Sequence, residues 1–122
     1  MTFPSDFFKR EEFACKCGCG FDTVDAELLE VLTEIRFRFG EPVYINSGCR
    51  CEKHNKAVGG KQKTGESAGS QHLYGRAADF VVRNVQPQVV YDFINELYPD
   101  DYGMKAYATF THIDTRTNRG RW

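Results

Sequence analysis

The stretch SQHLYGRAADF, residues 70–80, sets His72 and Asp79 seven positions apart around Gly75, with Ala77 and Ala78 just before the aspartate. Further on, FTHIDTR (110–116) holds His112, followed at alternate positions by Asp114 and Arg116. If that run is a strand, alternate side chains share a face, and these three stand together. Two neutral imidazoles and one carboxylate suit zinc, because they leave the ion positive with a fourth position for water. Such an ion polarises a carbonyl and acidifies water, the chemistry of peptide hydrolysis. Gly75 would allow the tight backbone that brings His72 and Asp79 onto one ion, and the alanines leave room for it. The competing reading is a buried histidine hydrogen-bonded to an aspartate, and spacing alone does not choose between them.

The cysteines pose a second question. They fall in two clusters, CKCGC (Cys15, Cys17, Cys19) and CRC (Cys49, Cys51). An odd number cannot all pair within one chain, and without an export signal reduced thiols are the default. Four thiolates would make a closed structural metal site, yet one residue between cysteines is fewer than the usual two to four. A structural metal and paired or free thiols both stay open. Neither would be the catalytic centre, since thiolate charge quenches Lewis acidity. The third histidine, His54, has only Glu52 as an acidic neighbour at useful spacing and reads as surface or structural.

Several elements must position these groups. DAELLEVLTEIRFRFG predicts a helix with Leu28, Leu32, Ile35 and Phe39 on one face, Asp25 capping its start and Gly40 following its end. PVYINSG reads as a short strand, and CEKHNKAVGG as a brief helix closed by a glycine pair. Residues 59–70 form a polar, glycine-rich loop. A strand AADFVV follows, then a helix over PQVVYDFINELY with Val90, Phe93, Ile94 and Leu97 as its apolar face. The strands MKAYATF and THIDT precede a closing RTNRGRW. This pattern predicts one small α+β domain over residues 1–122, an antiparallel sheet flanked by helices.

The bulk numbers fit that size. The chain has 122 residues, 41% of them hydrophobic and 14% aromatic, which argues against disorder. Its formal charge of −1 gives no support to nucleic acid or an anionic membrane as partner. No apolar run approaches the roughly 20 residues of a membrane helix. MTFPSDFFKREEF lacks the pattern of a signal peptide, so the expectation is a protein cytoplasmic as synthesised, with any action on a cell wall needing phage-type or other release. A monomer is expected.

Taken together, SGCRCEKHNKAVGG, SQHLYGRAADF and FTHIDTRTNRGRW closely resemble the zinc D-alanyl-D-alanine peptidases of the M15 group. Their SxHxxGxAxD motif is matched at Ser70, His72, Gly75, Ala77 and Asp79, and the resemblance extends to REEFACKCGCG and the closing RW. It implies a hedgehog-type zinc peptidase fold, Zn2+ held by His72, Asp79 and His112, and cleavage of peptidoglycan stem peptides by a carboxypeptidase or endopeptidase. Arg50 matches an arginine that lies near the substrate in relatives, where its fork would steady an oxyanion. Arg116 would hold a substrate carboxylate or pair with Asp114. Ser70 would contact substrate or cap its turn.

Two features depart from the family. Some relatives carry a catalytic acid three residues before the last ligand, where this chain has Thr109. Asp114 is then the candidate general base, with an orienting role toward a ligand histidine as the equal alternative. The stretch KQKTGESAG is longer than expected, a lid or, more in keeping with its composition, a solvated loop. The missing acid leaves room for a zinc-stabilised cell-wall peptide-binding module without turnover.

Overall fold

The computed structural model describes residues 7–65 and 67–122. The first six residues of the N-terminal stretch and Glu66 of the polar loop lie outside the described residues. Three α-helices, α1 (Ala26–Phe39), α2 (Glu52–Ala57) and α3 (Pro87–Leu97), accompany five strands. These are β1 (Val43–Ser47), β2 (Ala77–Val82), β3 (Gly103–Ala106), β4 (Thr111–Asp114) and β5 (Gly120–Arg121), in sheet order β1-β2-β4-β3-β5. Short 3-10 helices over Arg10–Phe13 and Gln71–Tyr74 complete the set.

Local chemistry sets the element ends. Asp25 accepts a hydrogen bond from the Leu28 amide at 3.2 Å, and Gly40 closes α1 in the left-handed region at φ 64°. Pro87 opens α3, where a missing amide costs nothing. The predicted strand over 104–110 ends early. Tyr107 donates from its amide to the Phe110 carbonyl at 2.9 Å, and the two rings stack with centroids 4.5 Å apart. MKAYATF and THIDT are thus one hairpin.

The strands β1, β2, β4 and β3 pair antiparallel, as expected, but β5 pairs parallel with β3. A two-residue strand made of Gly120 and Arg121 carries no alternation to reveal it. Arg121 fastens it instead, donating to Asn95 Oδ1 and to the carbonyls of Tyr98, Asp101 and Tyr102.

One sheet face carries the core. Phe80, Val82, Met104 and Ile113 are buried with Leu28, Leu32 and Ile35 of α1 and Val90 and Ile94 of α3. Phe39 and Phe93 pack at its margin. Leu97, expected on the apolar face of α3, is exposed, and Tyr98 beyond the helix end packs on the core in its stead. The period of two along β2 and β4 puts Asp79, His112 and Asp114 on the opposite face. That face carries the site.

Candidate metal centre

Three elements deliver the predicted ligand residues. Asp79 of β2 and His112 of β4 are directly paired across the antiparallel ladder. His72 arrives on the 3-10 helix, whose start is capped by Ser70 Oγ accepting from the His72 amide at 3.2 Å. Gly75 ends that turn at φ 66°, and a Cβ there would strike the Thr23 carbonyl. Only glycine meets both demands.

The donor atoms converge. Asp79 Oδ1 lies 2.7 Å from His112 Nδ1, and Asp79 Oδ2 lies 3.3 Å from His72 Nε2. The imidazole centroids are 5.4 Å apart. One ligand atom from each of the three residues falls within 4.8 Å of the others.

The outer nitrogens are also engaged. His72 Nδ1 is 2.6 Å from the Gly48 carbonyl, and His112 Nε2 is 2.7 Å from Asp114 Oδ2. A carbonyl can only accept, so His72 Nδ1 carries the proton and Nε2 presents a lone pair. The carboxylate of Asp114 likewise draws a proton to His112 Nε2. Both inner nitrogens then face a carboxylate, acceptor against acceptor. Such an arrangement needs a cation at its centre, either a proton on Nδ1 or a metal ion. The donor set therefore fits a metal.

Charge at the site follows from these contacts. Burial opposes ionisation of Asp79, but His112 and His72 outweigh it and hold the carboxyl well below the usual carboxylate range. Burial likewise opposes ionisation of Asp114, which Arg116 and His112 more than offset. Arg116 grips Asp114 with two forked bonds of 2.7 Å and donates its backbone amide to the same carboxylate. Both Asp114 oxygens are occupied, and the residue is fully buried. Arg50 reaches Asp79 Oδ2, Asn55 Oδ1 and Ser47 Oγ at 3.1–3.3 Å. Three of the five guanidinium donors have partners there.

A family model described as Peptidase M15 matches residues 6–114. The chain belongs to the peptidase M15 family. No curated protein and no solved structure matches it.

The three candidate ligands open on one cleft of about 550 Å³, lined among others by Arg50, Ser70, His72, Asp79, His112 and Arg116. Gly60, Lys61 and Gly69 of the polar loop form part of its wall, and the Ser70 amide ties that loop to the Lys61 carbonyl at 2.9 Å. Thr109 lies exposed on the hairpin turn. His54 sits on α2, outside the ligand cluster.

Five residues that support this candidate site belong to no chemical motif of their own in the sequence. The Gly48 carbonyl holds His72. Asn55, wholly buried, accepts from Arg50 and donates to the Lys61 carbonyl at 2.9 Å, joining α2, the loop and the site. Trp122 stands 5.3 Å from His112 and stacks on Arg116 at 4.8 Å. The stacked Tyr107 and Phe110 line the cleft's other side. The chain's only tryptophan, in the closing RW, was the nearest thing to a cue.

Proposed function

We propose that this M15 peptidase is zinc-dependent and hydrolyses peptide bonds of peptidoglycan stem peptides, as a D-Ala-D-Ala carboxypeptidase or as an endopeptidase at a neighbouring stem bond. The observation that carries the reading is the pair of imidazoles with outer nitrogens engaged and inner nitrogens turned on one ionised carboxylate. His72, Asp79 and His112 would hold zinc, which when bound supplies Lewis acidity to the scissile carbonyl and to the attacking water.

The chain's own residues do the rest. Asp79 stays ionised and offsets part of the metal's charge. Asp114 fixes the ring and tautomer of His112, and Arg116 fixes Asp114, so both are positioning residues. With its fork spent on Asp114, Arg116 is poorly placed to take a substrate carboxylate as well. Arg50 has donors to spare at the cleft, where they would steady the charge that develops on the carbonyl oxygen. Ser70 serves the turn that carries His72, and its place in the cleft lining leaves it within the substrate's reach. Tyr107, Phe110 and Trp122 give the cleft apolar walls suited to a short stem peptide.

One observation favours a second reading, a binding module without turnover. Among the described residues lining the cleft, Asp79 and Asp114 carry the only side-chain carboxylates, and both are engaged. Mass spectrometry of defined stem peptides incubated with zinc-loaded protein separates the two. Loss of a terminal D-alanine or scission of an inner bond, abolished by chelation, is expected. Binding of the same peptides without any product would establish the module instead.

A further inference from the structure

Four of the five cysteines meet in a second cluster. Cys15, Cys17 and Cys19 lie in the loop after the first 3-10 helix, and Cys51 is the N-cap of α2. One sulfur from each falls within 4.8 Å of the others. The separations are 3.4 Å for Cys15–Cys17, 3.8 Å for Cys15–Cys51 and 3.7 Å for Cys17–Cys51. A disulfide holds its sulfurs at about 2.05 Å, and all five cysteines are free. Sulfurs at the corners of a tetrahedron around zinc, each about 2.3 Å from the ion, stand about 3.8 Å apart. The sulfurs of Cys15, Cys17 and Cys51 have that spacing, and Cys19 stands within 4.8 Å of all three.

The loop explains how a motif with single intervening residues achieves this. The Cys15 amide donates to the Phe21 carbonyl at 2.7 Å, closing a tight loop. Within it, Gly18 and Gly20 take φ of 80° and 91°, a backbone that L side chains rarely adopt. Those turns fold the short CKCGC run back on itself. Backbone amides support the sulfurs, with Cys51 N donating to Cys15 Sγ at 3.5 Å and His54 N to Cys51 Sγ at 3.4 Å. Cys49 stands apart, its thiol donating to the Phe21 carbonyl at 3.0 Å. The odd count thus resolves into four and one.

We propose that Cys15, Cys17, Cys19 and Cys51 form a closed tetrathiolate zinc site, distinct from the His72–Asp79–His112 centre. Four thiolates in tetrahedral array suit zinc, and with four protein ligands no position is open for chemistry. Its role is mechanical. The site clamps the N-terminal loop to the segment 48–51, which supplies both the carbonyl that holds His72 and the guanidinium that holds Asp79. The proposal does not rest on the peptidase reading.

Metal analysis of reduced protein should give two zinc ions per chain, one of them kept by His72→Ala. Cys17 and Cys19 are exposed, so their replacement removes no core packing. The double variant Cys17→Ser, Cys19→Ser should keep one zinc, and combining it with His72→Ala should leave none. Cobalt titration of metal-free protein gives a second readout. Strong thiolate-to-cobalt charge transfer in the near ultraviolet is expected in the unaltered chain and in His72→Ala, but not in the double cysteine variant. A single zinc per chain that disappears with His72→Ala, together with cobalt protein lacking that absorption, would overturn the proposal.

Discussion

At Asp114, two roles predict different losses. A general base must reach the attacking water, whereas Asp114 meets His112 at Nε2 while Nδ1 faces Asp79. Its contacts support the positioning role, so Asp114→Asn should weaken zinc affinity by roughly 10- to 100-fold, the usual cost of losing a carboxylate behind a ligand histidine. Competition against a chelator measures this. Unchanged affinity with turnover down by about two to four orders of magnitude would restore the base. Arg50→Lys tests the other charged group. A lysine offers a point charge in place of a planar fork and cannot serve Ser47, Asn55 and Asp79 together. Zinc content should hold while kcat falls on the order of 10²-fold, about the cost of one oxyanion donor. Steady-state kinetics beside metal analysis decides it, and unchanged kcat would remove Arg50 from the reaction. At this scale the sequence was informative where residue type limits chemistry. Two histidines and an aspartate at family spacing suggest a ligand set, whereas nothing in the letters says that the Gly48 carbonyl or Asn55 will face them.

The elements show the same division. Periodicity reveals α1 and β2 because each buries one face along several turns or residues. It misses β5, too short for any pattern, and the 3-10 helix at 71–74, which exists because Ser70 and Gly75 close its two ends. That turn carries a ligand residue, so its integrity can be tested through metal binding. Gly75→Ala would place a side chain in the left-handed region, at on the order of 1–2 kcal/mol, and press its Cβ on the Thr23 carbonyl. A lower melting temperature and weaker zinc binding are expected together, because relief of the contact moves His72. Thermal melts with and without zinc test this. A variant that melts at the parental temperature and binds zinc normally would mean that the turn adapts without cost.

Across the whole molecule, the site face of the sheet is held by charge as much as by packing. Asp79 and Asp114 flank His112 on the sheet, Arg50 and Arg116 grip the outer ends, and the core lies on the opposite face. A cation between the imidazoles and Asp79 completes the balance, and a proton competes with metal for that place. Burial works against the proton on His112, but Asp114 and Asp79 outweigh it and raise the pKa above the ordinary imidazole value. The sign follows directly. A nitrogen that keeps its proton to higher pH must release it before it can bind metal, so zinc affinity falls as pH falls. The decline should begin above about 6.5, the free imidazole value. Dialysis from pH 8 to 5 followed by metal analysis measures it. The Cys17→Ser, Cys19→Ser background confines the measurement to nitrogen and carboxylate ligands. Occupancy that fades from above pH 6.5 downward is the expected result. Occupancy unchanged to pH 5 would mean that neither histidine holds the metal, and the centre would have to be sought elsewhere on the chain.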